Sequence, residues 1–301
     1  MSTALIPRSA RNVPVAGAWA RWYRPLVLGL WISGALVWAA YLVVIGVGDP
    51  IDVRAYYLAE PGRLYERAAL GGTDAYLYSP AFAQALDPLR LLGWDAFREV
   101  WRLAEVGALF TLAGPLAGLF ILARPVAVEV NAGNIHLLLT LAIVAGFRWP
   151  WAWSFVLLTK VTPGVGLLWF AVRGEWRQLG IALGATAAIA GVSLVIDPGA
   201  WGQWFGTLAT LTGTEPRGWI LASGPLALRM VAAALLVIWA ARTDRRWGVV
   251  AAAFLALPVT WVTALSMGAG LVALAAPETQ RTRPAPGGTR RGMREAGQGP
   301  T

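Results

Sequence analysis

One lysine occurs in this chain, Lys160, and it stands in the middle of an apolar stretch, residues 149–172, long enough to cross a bilayer. The other basic residues are arginines, nearly all in polar segments or at the ends of hydrophobic runs. At 1.5 Å rise per residue, a continuous helix would hold Lys160 roughly 15 Å from either end, further than a lysine stem can snorkel. An ammonium at that depth costs about 2.5–3.5 kcal/mol on the insertion scale, so it must face a partner or a wet cavity. Pro163 offers no N–H to the carbonyl of Thr159, and Gly164 follows it. A cation on an interrupted membrane helix marks a site in transporters and lipid-linked enzymes. The expected neighbour of Lys160 is an anion.

The rest of the composition agrees with a polytopic membrane protein: 57% hydrophobic and 14% charged residues, a mean hydropathy of +0.57, and apolar residues in long blocks. Tryptophan, at 17 residues, favours the membrane interface. The net charge of +9 requires no nucleic acid, because most of it sits in the tails. Arg8, Arg11, Arg21 and Arg24 lie before the first apolar run, and five arginines oppose Glu278 and Glu295 at the other end. Such tails predict cytoplasmic flanks beside anionic membrane lipids. The absence of cysteine excludes disulfides, thiol catalysis and thiolate metal sites. A lone histidine, His136, excludes a multi-histidine metal centre.

Apolar length and arginine bias predict an all-α protein with about seven to eight transmembrane helices. Residues 1–25 form a basic cytoplasmic segment, 26–275 the integral-membrane domain, and 276–301 a disordered basic tail. Span one, 26–47, reads as an uncleaved signal anchor. Residues 48–102 form a large external loop, in which Asp95 reads as an N-cap and 94–101 as an interfacial helix. Further spans are expected at 103–123, 134–147, 150–172, 178–196 and 224–241. Asp197-Pro198 opens an external surface helix bearing Trp201, Trp204 and Trp219. Residues 247–275 read as a hairpin turning near Pro258, which would return the tail to the cytoplasm.

The loop and two later stretches carry a resemblance. Asp52-Val-Arg54-Ala-Tyr56, Pro61-Gly62-Arg63-Leu64-Tyr65 and Tyr76-Leu-Tyr78-Ser-Pro80-Ala-Phe82, with Pro88, are followed by Gly133-Asn134-Ile-His136. Leu158-Thr-Lys160-Val-Thr162-Pro163 and Glu175-Trp-Arg177 complete the set. In this order and spacing, over about 49–205, they resemble glycosyltransferase family 87. That family includes polyprenol-phosphate-mannose-dependent α-mannosyltransferases of the GT-C superfamily in actinobacteria. The resemblance implies a multi-pass enzyme of the bacterial plasma membrane with its active site outside. It would move a hexose, mannose foremost, from a polyprenyl-phosphate carrier to a lipid or glycan acceptor, inverting the donor linkage. It implies no cofactor and no metal site, and leaves dependence on divalent ions open.

Within that frame Asp52 is the candidate base that takes the acceptor's proton, its plain alternative being an N-cap for a helix beginning at Val53, and Asp49 its nearest rival. Lys160 is the candidate phosphate partner, or else half of an internal ion pair with Glu129. Arg54, Tyr56, Tyr78, Asn134 and His136 are candidate donor- and substrate-binding residues. Arg54 could equally meet a lipid headgroup, and Tyr56, Tyr65, Tyr76 and Tyr78 suit either sugar stacking or an interfacial belt. Glu129, Asn131, Asn134 and His136 fall on the cytoplasmic side of the expected topology, away from Asp52, unless 125–133 re-enters the membrane. Two other classes stay open: a transporter of lipid phosphate or small solutes, and a non-catalytic homologue that holds lipid carriers. A transporter needs a second interrupted, charged helix, and the later spans carry no buried charge except Arg229 near one helix end, which argues against that class.

Overall fold

The computed structural model describes residues 16–44, 50–211 and 224–275. Residues 1–15, the tail after 275, Asp49 and Trp219 therefore lie outside the described residues, whereas residues 16–25 of the expected basic segment are helical and continuous with the first apolar run. The protein is all-helical, with no strand among the described residues. In chain order the helices are α1 (Ala16–Val44), α2 (Ile51–Tyr57), α3 (Pro80–Arg90), α4 (Trp94–Ala113), α5 (Ala117–Leu122), α6 (Arg124–Ala132) and α7 (His136–Gly146). Then come α8 (Trp153–Thr159), α9 (Leu168–Val172), α10 (Trp176–Ile196), α11 (Pro198–Leu211), α12 (Leu226–Arg242), α13 (Trp247–Leu255) and α14 (Gly268–Ala275).

Among the described residues, Trp94–Leu122 and Trp176–Ile196 are helical stretches long and apolar enough to cross a bilayer. The pair α6 and α7, bent by 99°, makes a third if counted as one span. The seven or eight spans expected from apolar length do not appear as so many long helices, because several apolar runs are divided. Residues 150–172 are the clearest correction. They form a 3-10 turn Pro150–Ala152, α8, a second 3-10 turn Thr162–Leu167, and α9. Lys160 sits between them in extended backbone, φ −128° and ψ 99°. The mid-helix depth expected for Lys160 therefore does not apply. Pro163 cannot continue the α-helical ladder. The carbonyl of Leu158 at the α8 end accepts instead from Ser79 Oγ (2.5 Å) and Ser79 N–H (3.4 Å). A loop far off in sequence thus supplies one of the partners that a helix C-terminus lacks.

Two other boundaries differ from expectation. The interfacial helix at 94–101 and the following span are one continuous helix, α4, so Asp95 lies inside it, ion-paired to Arg98 (3.4 Å), and Gly93 is the cap position. Asp52 lies in the first turn of α2 and makes no capping bond, which removes its reading as an N-cap. Asp197 does cap α11, accepting from Ala200 N–H at 2.9 Å. At the far end the chain turns at 256–261 and α14 packs back on α13. Arg229 on α12 fixes that turn by donating to the carbonyls of Leu255, Leu257 and Pro258 and to Thr260 Oγ1.

The core lies in three clusters. One joins Trp153, Trp169 and Phe170 to α12 and α13, and another packs α4 against α6 and Leu137. The third is the folded segment between α1 and α4 together with the start of α4: Tyr56, Tyr76, Phe82, Phe97 and Trp101 around Ile135. Edge-to-face and tilted rings hold it, with Tyr56 4.9 Å from Trp101 and 5.6 Å from Phe82. Such pairs add about 0.5–1.5 kcal/mol each beyond the area they bury.

Candidate active site

The site is built on the elbow between α6 and α7. Gly133 closes α6 in left-handed backbone, φ +70°, and its N–H and that of Asn134 both return to the carbonyl of Glu129 (2.9 and 3.2 Å). Glycine is needed here twice over. The conformation suits a residue without a side chain, and a Cβ would run into Val53 on α2. Trp101 of α4 donates its indole N–H to the Gly133 carbonyl at 2.9 Å. The elbow is thereby tied to both the Asp52 helix and α4.

Glu129 starts α7 from the far side of the bend. Its Oε1 accepts from the backbone N–H of His136 (2.6 Å) and Leu137 (3.3 Å), and its Oε2 meets His136 Nδ1 at 3.0 Å. A carboxylate at a helix N-terminus is favoured by the helix dipole as well as by these bonds. Because a carboxylate only accepts, the imidazole proton belongs on Nδ1, leaving the Nε2 lone pair exposed to Lys160. Lys160 Nζ donates to it at 2.9 Å. The ion pair expected between Lys160 and Glu129 is thus replaced by a relay through His136. An ammonium has three N–H donors, and this bond uses one of them.

On the other arm of the elbow, Asn134 uses both ends of its amide. Its Oδ1 accepts from Ile135 N–H (2.7 Å) and its Nδ2 donates to Asp52 Oδ2 (2.9 Å). Asn134 and His136 therefore do not lie across the membrane from Asp52. They stand between Asp52 and Lys160, whose charge acts directly on the Asp52 carboxyl. The topology that put the polar group on the opposite face is corrected by the 99° bend, which turns the chain through about a right angle at residues 133–135 and sets Asn134 against Asp52.

Burial lifts the Asp52 carboxyl from its ordinary 3.8 to about 6; the charge of Glu129 adds to this, while Lys160 and the Asn134 bond oppose it. A group near 6 is ionised at neutral pH yet basic enough to accept a proton. Tyr56 and Tyr78, whose hydroxyls touch at 3.2 Å, are held above the ordinary phenol range by burial, and Asp52 pushes the same way. Neither phenol can compete as a base.

Other candidates take different places. Tyr56 and Tyr76 are buried in the aromatic core, which leaves them no face for sugar stacking. Tyr65 and Tyr78 are partly buried at its edge, linked by Tyr65 OH donating to the Tyr78 carbonyl (2.9 Å). Arg54 turns from the elbow toward Asp74, at 3.6 Å. Sequence reasoning missed Ser79 as the clamp on α8, and it missed Glu105, a fully buried carboxyl one turn beyond Trp101 on α4. The signal for Glu105 was present: it is an acid inside an apolar run, as Lys160 is a base inside one.

Comparison with known families matches residues 76–285 to glycosyltransferase family 87. The chain belongs to glycosyltransferase family 87. The match covers more than half of the chain and includes Tyr78, Asn134, His136 and Lys160, while Asp52, Arg54 and Tyr56 precede it. It also extends past residue 205, where the sequence resemblance ended, to take in α12, α13 and α14. Comparison with curated proteins and with solved structures finds no match. This family 87 chain is a glycosyltransferase of membrane character.

Proposed function

We propose that this enzyme is a GT-C-type glycosyltransferase of the bacterial plasma membrane. With seven or eight spans and its active site outside, it moves a hexose, mannose foremost, from a polyprenyl-phosphate carrier to a lipid or glycan acceptor. The observation that carries the reading is the convergence of Asp52 and Lys160 on one elbow, through Asn134 and His136. Asp52 takes the proton of the acceptor hydroxyl as its oxygen attacks the anomeric carbon. The bond from that carbon to the phosphate oxygen breaks, and its electron pair leaves with the phosphate. Attack from the face opposite the leaving group inverts the linkage. No general acid is needed, because the leaving group is a phosphate.

Lys160 would meet the phosphate with the N–H donors not engaged by His136, so the charge that grows on the leaving oxygen is stabilised. Asn134 orients the base, and Tyr78 lies beside it. Tyr56 acts by packing, and Arg54, at the rim with Asp74, suits a lipid headgroup. No step calls for a metal.

The test is transfer from polyprenyl-phosphate-[³H]mannose to octyl α-mannoside by the purified protein in lipid nanodiscs. Asp52→Asn should lower kcat by about 10²–10⁴-fold with little change in donor KM; unchanged turnover removes Asp52 as the base. Since the base works ionised, the rate should fall as pH drops through about 6. Stability runs the other way. A folded-state value above the unfolded one means this group's contribution to stability is complete below about pH 4 and is lost as pH rises through about 6. Thermal melts of wild type and Asp52→Asn should therefore differ most above pH 6, with the variant the more stable. Donor binding without transfer in the wild type would mark a carrier-holding homologue instead.

A further inference from the structure

Glu105 is the buried acid to which the reaction outlined above gives no task. It is 0% exposed, and neither carboxyl oxygen has a hydrogen-bond partner among the described residues. Glu129 is the useful contrast, since both of its oxygens are tied to the α7 N-terminus or to His136. A buried carboxyl held for architecture is bonded in that way; one with both oxygens unclaimed calls for another explanation.

Its surroundings point to one. Glu105 follows Trp101 by a turn, and Trp101 touches both the Tyr56 ring and the Gly133 carbonyl. Its charge is felt at Tyr56 and feels those of Asp52 and Glu129, so it lies just behind the reacting cluster. In the other direction Glu99, Arg102 and Glu105 recur every three residues along α4. Side-chain exposure falls from 47% at Glu99 to 17% at Arg102 and to nothing at Glu105. Arg102 Nη1 donates to both oxygens of Glu99 (3.1 and 3.0 Å), while its Nε and Nη2 are buried without a partner. Two unclaimed donors and two unclaimed acceptors thus lie between the site and the half-exposed acid.

We propose that Glu105 resets the enzyme: it takes from Asp52 the proton removed from each acceptor and passes it along the Arg102–Glu99 face of α4 to solvent. The inference rests on Asp52 being the base. Every transfer leaves one proton on Asp52 and a bound product above it, so the proton needs a way out that does not cross the occupied pocket. The Asp52 O–H bond breaks as an O–H bond forms on one Glu105 oxygen, bridged by water, while the O–H bond on the other Glu105 oxygen breaks. That second proton passes through water to Glu99, and Arg102, which stays a cation, orients that acid. No electrons change hands, and one proton leaves per sugar moved. Chains of buried carboxyls serve as proton paths in membrane proteins for the same reason: water alone does not reach the site.

The relay predicts a split that a structural role would not give. In rapid-quench transfer from polyprenyl-phosphate-[³H]mannose to octyl α-mannoside, Glu105→Gln should keep the wild-type rate for the first turnover. Its steady-state rate should fall by at least about 10-fold, with donor KM unchanged. Glu105→Asp should recover most of the loss, and added formate should speed steady-state turnover by Glu105→Ala. First-turnover and steady-state rates that fall together, or a steady-state rate equal to wild type, overturn the relay. Should Glu105→Gln not fold, failure of formate to accelerate Glu105→Ala, or of Glu105→Asp to turn over faster than it, does the same. Absence of product from the wild type strikes instead at the transfer reaction itself, so the two failures are distinct.

Discussion

Residues 150–172 and 176–196 are neighbouring apolar stretches of similar length, and they fold in opposite ways. The second is one unbroken helix, α10, with only Ala182 and Ser193 buried and with Val192, Val195 and Ile196 each more than 60% exposed. The first is cut into four short helical pieces and buries Trp153, Val156, Trp169 and Phe170 almost completely. A helix facing lipid must satisfy its backbone internally, and α10 does so from end to end. A segment packed inside protein can leave some of that to others, as the bond from Ser79 to Leu158 shows. Unwinding is therefore tolerated where the chemistry is, and α10 has no such freedom.

Four substitutions sharpen or break this contrast. The largest effect is expected from Lys160→Met, which removes the cation but leaves a stem of similar bulk. Transfer of mannose should fall by about 10²–10³-fold with modest change in the melting temperature. A rate within a few-fold of wild type would mean that the break holds no ligand. Next, Ala188→Lys puts an equivalent charge on the exposed middle of α10, where no partner has been built. Membrane insertion should weaken by about 2.5–3.5 kcal/mol, read as the fraction of glycosylation-tagged chain correctly integrated. Equal insertion of both proteins would show that the partners around Lys160 are not what makes its charge acceptable.

The glycines give a smaller, paired effect. A Cβ on Gly166 would collide with the Trp153 ring and Val249, whereas one on Gly184 of α10 meets nothing within 4 Å. Gly166→Ala should destabilise the protein by about 1–3 kcal/mol through overpacking. Gly184→Ala should stabilise it by less than about 1 kcal/mol through helix propensity. Denaturation in detergent measures both, and a larger loss at Gly184 would reverse the assignment of packed and open faces.

Much of the site was legible before any fold was known. Lys160 stood out as a charge in an apolar run, and Asp52, Asn134 and His136 entered through motif order. What could not be read is how these groups pair. Asn134 and Asp52 are 82 residues apart, Lys160 and His136 are 24 apart, and no local pattern encodes either contact. The stretch holding Asn134 and His136 reads by charge bias as a cytoplasmic turn, because a left-handed glycine that bends the chain by 99° looks in sequence like any other glycine. Tyr56 illustrates the opposite error: a loop tyrosine suits sugar stacking until packing buries its ring. Glu105 went unread because one acid among apolar residues was averaged into a span, although the rule applied to Lys160 covers it equally.

Hydrophobic content and its block length settled by themselves that this chain is helical and belongs in a membrane, since water and lipid sort residues by composition whatever their contacts. They also settled that a cation deep in such a chain requires company. Which groups keep it company was decided by the bend at Gly133 and the clamp from Ser79. Both depend on backbone polar groups finding partners far away in the chain, and only a folded structure specifies those.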